Sequence, residues 1–187
     1  MFYIDTNVLL SYVFISDRKH NIAKEILEKK IKNRPIHLSS LTIVEMKASL
    51  IRMIQGGYDL IDPLKILLQK FTKKDKVRIL VAIILGFLKG KFNVSIASDD
   101  MFADSLYRLV NQNLPLSAEN KIIYLFARAL TLSSIVSLKT LDLLHLIYAE
   151  ELKRRKVISS IVTFDKDFIN GADTIRKNLK INIISQP

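Results

Sequence analysis

The chain has 187 residues, of which 49% are hydrophobic and 25% charged, so it is long enough and apolar enough to fold around its own core. The absence of cysteine excludes disulfides, thiolate metal sites and cysteine nucleophiles. The net charge of +11 favours an anionic partner such as nucleic acid, an acidic protein or a membrane surface, although a merely lysine-rich surface gives the same charge.

No segment is typical of targeting or of membrane insertion. The apolar start contains Asp5 and has no basic region before it, unlike a signal peptide. The apolar run over 79–88 is about half of the ~20 residues that cross a bilayer. We therefore expect a cytoplasmic protein with no membrane partner.

The chain opens on an apolar run that ends in an acid. Residues 2–4 predict a buried strand, and Asp5 follows at its carboxyl end, where parallel sheets form ligand crevices. The alternative is that Asp5 caps the next helix through its side-chain oxygen.

The next segments predict parallel strands. Apolar spacing predicts a helix over 21–32, and residues 36–39 predict a second strand, so a right-handed crossover is expected. A helix predicted over 40–54 carries one acid, Glu45. Thr42 and Glu45 also fit a capping box, in which Glu45 would only satisfy a backbone N–H.

Residues 53–117 have the least regular pattern. Apolar residues predict one helix over 64–71 and a buried one over 79–88, with basic residues around both. These basic residues either meet phosphate or keep an apolar helix soluble. Asp99 and Asp100 resemble a helix start, with metal ligation as the alternative.

Two further acids lie in apolar surroundings. Helices are predicted over 118–132 and 138–152, and in the second Asp142 sits within an apolar surface, where a carboxylate is costly unless paired or bound to a cation. Its position in a first helical turn is the alternative explanation. The run 157–164 predicts a buried strand that ends in Asp165, and 181–184 predicts an edge strand.

Four acids therefore occupy suggestive positions: Asp5, Glu45, Asp142 and Asp165. Two like charges about 4 Å apart repel by ~4 kcal/mol at an effective dielectric near 20, so such a cluster would bind protons or hold a cation. Oxygen ligands without cysteine select Mg²⁺ or Mn²⁺. Such an ion supports phosphodiester hydrolysis, and nearby Lys and Arg would guide the polyanion.

Together these motifs resemble those of the PIN-domain ribonucleases, in particular the VapC-like toxins. The resemblance covers 1–52 and 118–187 and rests on Asp-Thr-Asn at 5–7, Glu45, Leu-Asp-Leu-Leu-His-Leu at 141–146 and Thr-Phe-Asp-Lys-Asp-Phe at 163–168. It implies a three-layer α/β/α sandwich with a central parallel sheet, and a Mg²⁺- or Mn²⁺-dependent endoribonuclease that cuts RNA.

The same match implies roles for individual residues. Asp5 and Asp142 would be the central metal ligands, with Glu45 and Asp165 completing the site directly or through water. The positions that match the family's supporting residues are Thr6, Asn7, Thr163 and Asp167. Members of the family commonly form homodimers and are silenced by an antitoxin protein, so both partners are expected.

The chain departs from compact family members in its middle. We expect one domain over 1–187 with a helical insertion at 53–117 that covers the rim of the site, dimerises or binds a partner. The main alternative function is a PIN-like module that binds RNA or protein without cutting. An aspartate-nucleophile phosphatase usually needs a second acid two residues after the first, where this chain has Asn7. His145 would orient Asp142, fill the core or assist catalysis.

Overall fold

The computed structural model describes residues 1–71, 73–97 and 121–186, and of these the side chains of all but 73–78 and 121–124. Its centre is a five-stranded sheet in the order β3-β2-β1-β4-β5, in which every neighbouring pair is parallel. The strands are β1 (Phe2–Ile4), β2 (Ile36–Ser39), β3 (Val94–Ala97), β4 (Ser160–Val162) and β5 (Asn182–Ile184).

Helices connect the strands and cover both faces of the sheet. The first group is α1 (Thr6–Val13), α2 (His20–Glu25) with a π-helical turn at Ile26–Lys30, α3 (Ser40–Gln55), α4 (Asp62–Gln69) and α5 (Lys73–Lys91). The second group is α6 (Lys121–Ser133), α7 (Thr140–Arg154), α8 (Lys166–Asn170) and α9 (Ala172–Leu179).

The alternation of side chains along β1 divides the core in two. Phe2 and Ile4 point into a cluster with α1–α5, whereas Tyr3 points into a cluster with α6–α9. All three side chains are buried, which explains the unbroken aromatic and β-branched run. The predicted three-layer α/β/α sandwich with a parallel sheet is therefore confirmed.

The middle of the chain packs into the first of these two core clusters, the one that contains α1–α5. Leu64, Leu68, Leu80, Ile84 and Leu88 are all buried in the same cluster as α1 and α3. The predicted insertion at 53–117 also contains β3, which was not predicted because only its last residue is buried and its apolar pattern is weak. Residues 98–117 of that range, including Asp99 and Asp100, lie outside the described residues, and the role of the insertion stays a prediction.

Within the described ranges, no helix combines the length and the apolar character that a bilayer span requires.

Candidate active site

The four predicted acids line one cavity of about 330 Å³ at the carboxyl edge of the sheet. Asp5 directly follows β1, and its backbone N–H donates to Val162 O in β4 at 3.0 Å. Asp165 comes shortly after β4, while α3 and α7 contribute Glu45 and Asp142. Because parallel strands end at a common edge, acids far apart in sequence meet there.

Around this cavity the carboxylates form two groups rather than one. Ligand atoms of Asp5, Glu45 and His145 lie within 4.8 Å of one another, and so do those of Asp142, Asp165 and Asp167. Asp167 does not line the acid cavity. The fourfold acidic cluster expected from the sequence is therefore divided between a more buried and a more exposed half.

Asp5 is only 7% exposed and is held by two neutral side-chain donors. Its Oδ2 accepts from Asn7 Nδ2 at 2.8 Å and from Thr163 Oγ1 at 2.6 Å. Asp5 occupies the cap position of α1, but its side chain makes no capping hydrogen bond, so the capping explanation is wrong. Burial raises the pKa of Asp5 above its usual range, although the charge of His145 and the bond from Thr163 oppose the shift.

Glu45 is fixed by contacts to two other elements. Its Oε2 accepts from Thr6 Oγ1 at 2.6 Å and lies 2.7 Å from His145 Nε2. The capping box at the start of α3 is formed by Ser39 and Thr42, so Glu45 does not serve as its acid. Burial alone would raise the pKa of Glu45, but the hydrogen bond and charge of His145 outweigh it, and the pKa is lowered.

His145 is buried and bonded at both ring nitrogens. Its Nδ1 lies 2.5 Å from Tyr3 Oη, which is 2.8 Å from Ser39 Oγ. Burial would lower the pKa of His145, but the bond to Glu45 and the charges of Asp5 and Glu45 raise it overall. A protonated ring donates at both nitrogens, leaving the Tyr3 hydroxyl to donate to Ser39. In this protonated form, which the raised pKa favours, His145 places a positive charge next to Glu45.

The second group of acids is more open. Asp142 lies in the first turn of α7, where burial and then the charges of Asp165 and Asp5 raise its pKa to about 6. Asp165 caps α8, its Oδ1 accepting from the Asp167 N–H at 2.7 Å. Asp167 Oδ2 is 3.1 Å from Lys139 Nζ. Negative charge is therefore least compensated around Asp142.

Divalent-metal affinity at this site is expected to fall as the pH drops through about 6. Metal and proton compete for Asp142, and its raised pKa means that protonation begins at a higher pH than for an ordinary aspartate. Calorimetric titration with Mn²⁺ is expected to show a loss of up to about tenfold per pH unit below that point. An affinity that stays constant from neutral pH to about 5 contradicts this assignment.

The supporting positions also make contacts. Thr6, Asn7 and Thr163 each donate to a carboxylate of the site, and Thr163 Oγ1 accepts from the Asp165 N–H at 3.0 Å.

Residues 2–87 match the family model of the PIN domain, a segment that contains Asp5 and Glu45. This segment of the chain is similar to a PIN domain. The match spans slightly less than half of the chain and runs from β1 into α5.

Two solved structures resemble this chain over most of its length. VapC20 of Mycobacterium tuberculosis, described as a toxin that cleaves the sarcin-ricin loop, is 14% identical with a TM-score of 0.46, over 91% of this chain and 95% of that one. VapBC2 of Rickettsia felis, bound to a DNA fragment from its promoter, is 16% identical with a TM-score of 0.44, over 100% of both chains. At sequence identities and TM-scores this low, the two structures give no information about the activity of this chain. The sequence matches no curated protein.

Two residues around the site, Arg52 and Tyr3, were not predicted. Arg52 lines the acid cavity, and its Nη2 donates to Ser49 Oγ at 3.2 Å. Its position two helical turns after Glu45 on α3 was an available signal. For Tyr3 the sequence offered no signal except that a buried hydroxyl generally needs a hydrogen-bond partner.

Proposed function

We propose that this chain is a metal-dependent endoribonuclease of the PIN-domain type, which hydrolyses RNA phosphodiester bonds. The observation that carries the proposal is the cavity at the carboxyl edge of the sheet, which Asp5, Glu45, Asp142 and Asp165 line together. Carboxylates so close to one another are unfavourable unless they take up protons or a cation. The raised pKa of Asp142 supports the presence of such uncompensated charge.

The donor set fits a hard divalent cation. All four predicted ligands offer carboxylate oxygens, the preferred donors of Mg²⁺ and Mn²⁺. In this proposal Asp5 and Asp142 are the central ligands, with Glu45 and Asp165 completing the site directly or through water. When bound, such an ion supplies activation of a water molecule and neutralises charge on the scissile phosphate.

The remaining residues orient these acids and bind the substrate. Thr163 and Asn7 hold Asp5, and Thr6 and His145 hold Glu45, so neither carboxylate needs to reorganise. The guanidinium of Arg52 at the cavity wall is suited to bind a phosphate of the RNA. Preorganised donors of this kind favour the ionised acids that metal binding requires.

The biological setting is a further part of the proposal. The VapC-like resemblance of the motifs at 5–7, 141–146 and 163–168 supports a toxin of a toxin–antitoxin pair, with an antitoxin protein and a second copy of the chain as partners. These partners are proposed from the resemblance alone.

The first experiment is cleavage of an end-labelled, mixed-sequence RNA by the purified chain. We expect internal cuts that stop with EDTA, return with Mn²⁺ or Mg²⁺, and are lost in Asp5→Asn. Asp173→Asn is the matched control because that carboxylate is 93% exposed and does not line the acid cavity. Cleavage that persists in EDTA or in Asp5→Asn contradicts the proposal, whereas an inert wild type that binds RNA indicates a binding module.

A further inference from the structure

A second cavity, of about 770 Å³, adjoins the acid cavity. The two share Asn7, Leu10 and Asp165 as lining residues, so one opens beside the other. We name the second cavity the basic groove, because four of the described residues that line it are cationic: Arg18, Lys19, Lys139 and Lys166.

Two of these cations are held by local partners. Lys19 Nζ donates to Phe164 O at 3.0 Å and lies 5.0 Å from the centre of the Phe164 ring. Lys139 pairs with Asp167, which also lines the groove. The positive charge of both residues is therefore already engaged at the wall of the groove.

The other two cations, Arg18 and Lys166, are exposed and form no ion pair within the described ranges. The remaining acids of the groove have other contacts. Asp17 Oδ1 accepts from the Lys19 N–H, and Asp165 caps α8 at the junction with the acid cavity. Arg18 and Lys166 are thus the charges that an incoming anion can bind without breaking an existing pair.

An exposed aromatic side chain completes the groove. Tyr58 is 44% exposed, and its ring meets Phe14 edge to face with the ring centres 6.0 Å apart. Its backbone N–H donates to Met53 O at 3.0 Å, just after Gly57 with its φ of 75°. A ring supported from behind in this way is a platform on which an unpaired base can stack.

We propose that the basic groove binds a single strand of RNA that continues into the acid cavity. Arg18 and Lys166 contact phosphates, and Tyr58 stacks with a base. This inference rests on the proposed nuclease function. A single strand is favoured over a duplex because bases in a duplex are already stacked and paired, whereas an unpaired base is free to lie on the tyrosine ring. Nucleic acid is favoured over an acidic protein because its phosphates can pair with the cations while a base stacks on the aromatic face.

The test measures binding without cleavage. All variants carry Asp142→Asn, and fluorescence anisotropy follows a labelled single-stranded RNA of roughly 12 nucleotides, a length within the range of single-strand sites. Arg18→Gln with Lys166→Gln is expected to weaken binding at least tenfold. The slope of log affinity against log salt should fall by about 0.7 for each phosphate that the variant no longer neutralises.

The matched control is Lys32→Gln with Lys177→Gln. This pair removes the same charge from exposed residues that precede β2 and β5, and so lie towards the amino edge of the sheet. We expect its affinity to stay within about twofold of the parent. If the groove and control variants lose affinity equally, general electrostatic attraction explains the binding and the inference is wrong.

Tyr58 is tested separately, by replacement with Phe and with Leu. Phe keeps the aromatic face and is expected to bind like the parent, whereas Leu should lose about five- to tenfold, as expected for one stacked base. Equal binding of a duplex of the same length contradicts the single-strand assignment. Displacement of the RNA by poly-glutamate at equal charge concentration identifies an acidic protein segment as the occupant and overturns the inference.

Cleavage by the otherwise wild-type chain separates the two proposals. Groove variants that cleave with an unchanged KM refute the groove but not the nuclease. Loss of binding only in the groove variants, with a wild type that cuts nothing, supports the groove and refutes the nuclease. When both proposals hold, KM rises at least tenfold in the groove variant and kcat changes little.

Discussion

Replacing Asp142 with asparagine is expected to stabilise the metal-free protein while removing its activity. The pKa of this carboxyl is raised to about 6 by burial and by the charges of Asp165 and Asp5, so the ionised form is less favourable in the folded than in the unfolded state. At neutral pH the folded protein bears this cost in full. After screening by solvent at a half-buried side chain, we expect a gain on the order of 1 kcal/mol from asparagine.

Thermal unfolding in EDTA measures this gain, which corresponds to about 2–4 °C in a chain of this size. The sign of the pH dependence follows from the raised pKa. As the pH falls from about 6 towards 4, Asp142 takes up its proton in the folded state and the advantage of asparagine disappears. A variant that melts lower than wild type at neutral pH contradicts the electrostatic description of the site.

The same substitution should lower metal-dependent cleavage by at least about a hundredfold, because it removes a proposed metal ligand. Asp173→Asn is the control for both measurements, since its side chain is 93% exposed and paired on its own helix with Arg176. It should gain no stability and lose no activity. If Asp142→Asn raises stability and lowers activity while the control changes neither, Asp142 is a functional carboxylate and not a structural one.

The approximate location of the site could be predicted because it depends on local patterns. Asp5 and Asp165 each follow a buried strand, and parallel strands end at one edge, so their proximity follows from the strand order. Asp142 was identified by its apolar surroundings on α7. The metal-ligand roles given to these acids stay predictions.

The division of the acids into two groups could not be predicted, because it depends on contacts between distant residues. Tyr3 and His145 are separated by 142 positions, and no periodicity links them. The basic groove likewise combines the segment before α2, the loop that holds Tyr58 and the starts of α7 and α8. Strand β3 escaped prediction because an exposed edge strand lacks the continuous apolar run of a central one.

The second large effect is expected at His145, which connects helices α7 and α3 with strand β1. Its side chain on α7 joins Glu45 of α3 to Tyr3 of β1 and is only 2% exposed. His145→Ala leaves the Glu45 carboxylate without its charged partner and removes one hydrogen-bond partner of the buried Tyr3 hydroxyl. Breaking a fully buried ion pair costs about 3–5 kcal/mol. Because the Glu45 side chain is 20% exposed, we expect a cost near the lower end of that range, which urea unfolding will measure.

His145 is also expected to act as a positioning residue for the metal site. Because its Nε2 holds Glu45 Oε2 at 2.7 Å, loss of the ring should lower Mn²⁺ affinity by about 10–100-fold, as removal of outer-shell partners does. Tyr3→Phe is the matched comparison. It removes a hydroxyl from the same buried network and should cost about 1–3 kcal/mol, but Tyr3 makes no hydrogen bond to Glu45 in the described part of the chain.

Comparing the two variants separates positioning from general destabilisation. If His145 acts by orienting Glu45, Mn²⁺ affinity falls in His145→Ala and stays within about threefold of wild type in Tyr3→Phe, although both unfold at lower urea concentrations. If affinity instead follows stability across both variants, the imidazole only fills and satisfies the core. A fall in Mn²⁺ affinity in His145→Ala alone means that the imidazole has a function in the metal site. It keeps the Glu45 carboxylate ionised and fixed in a region where the fold concentrates negative charge.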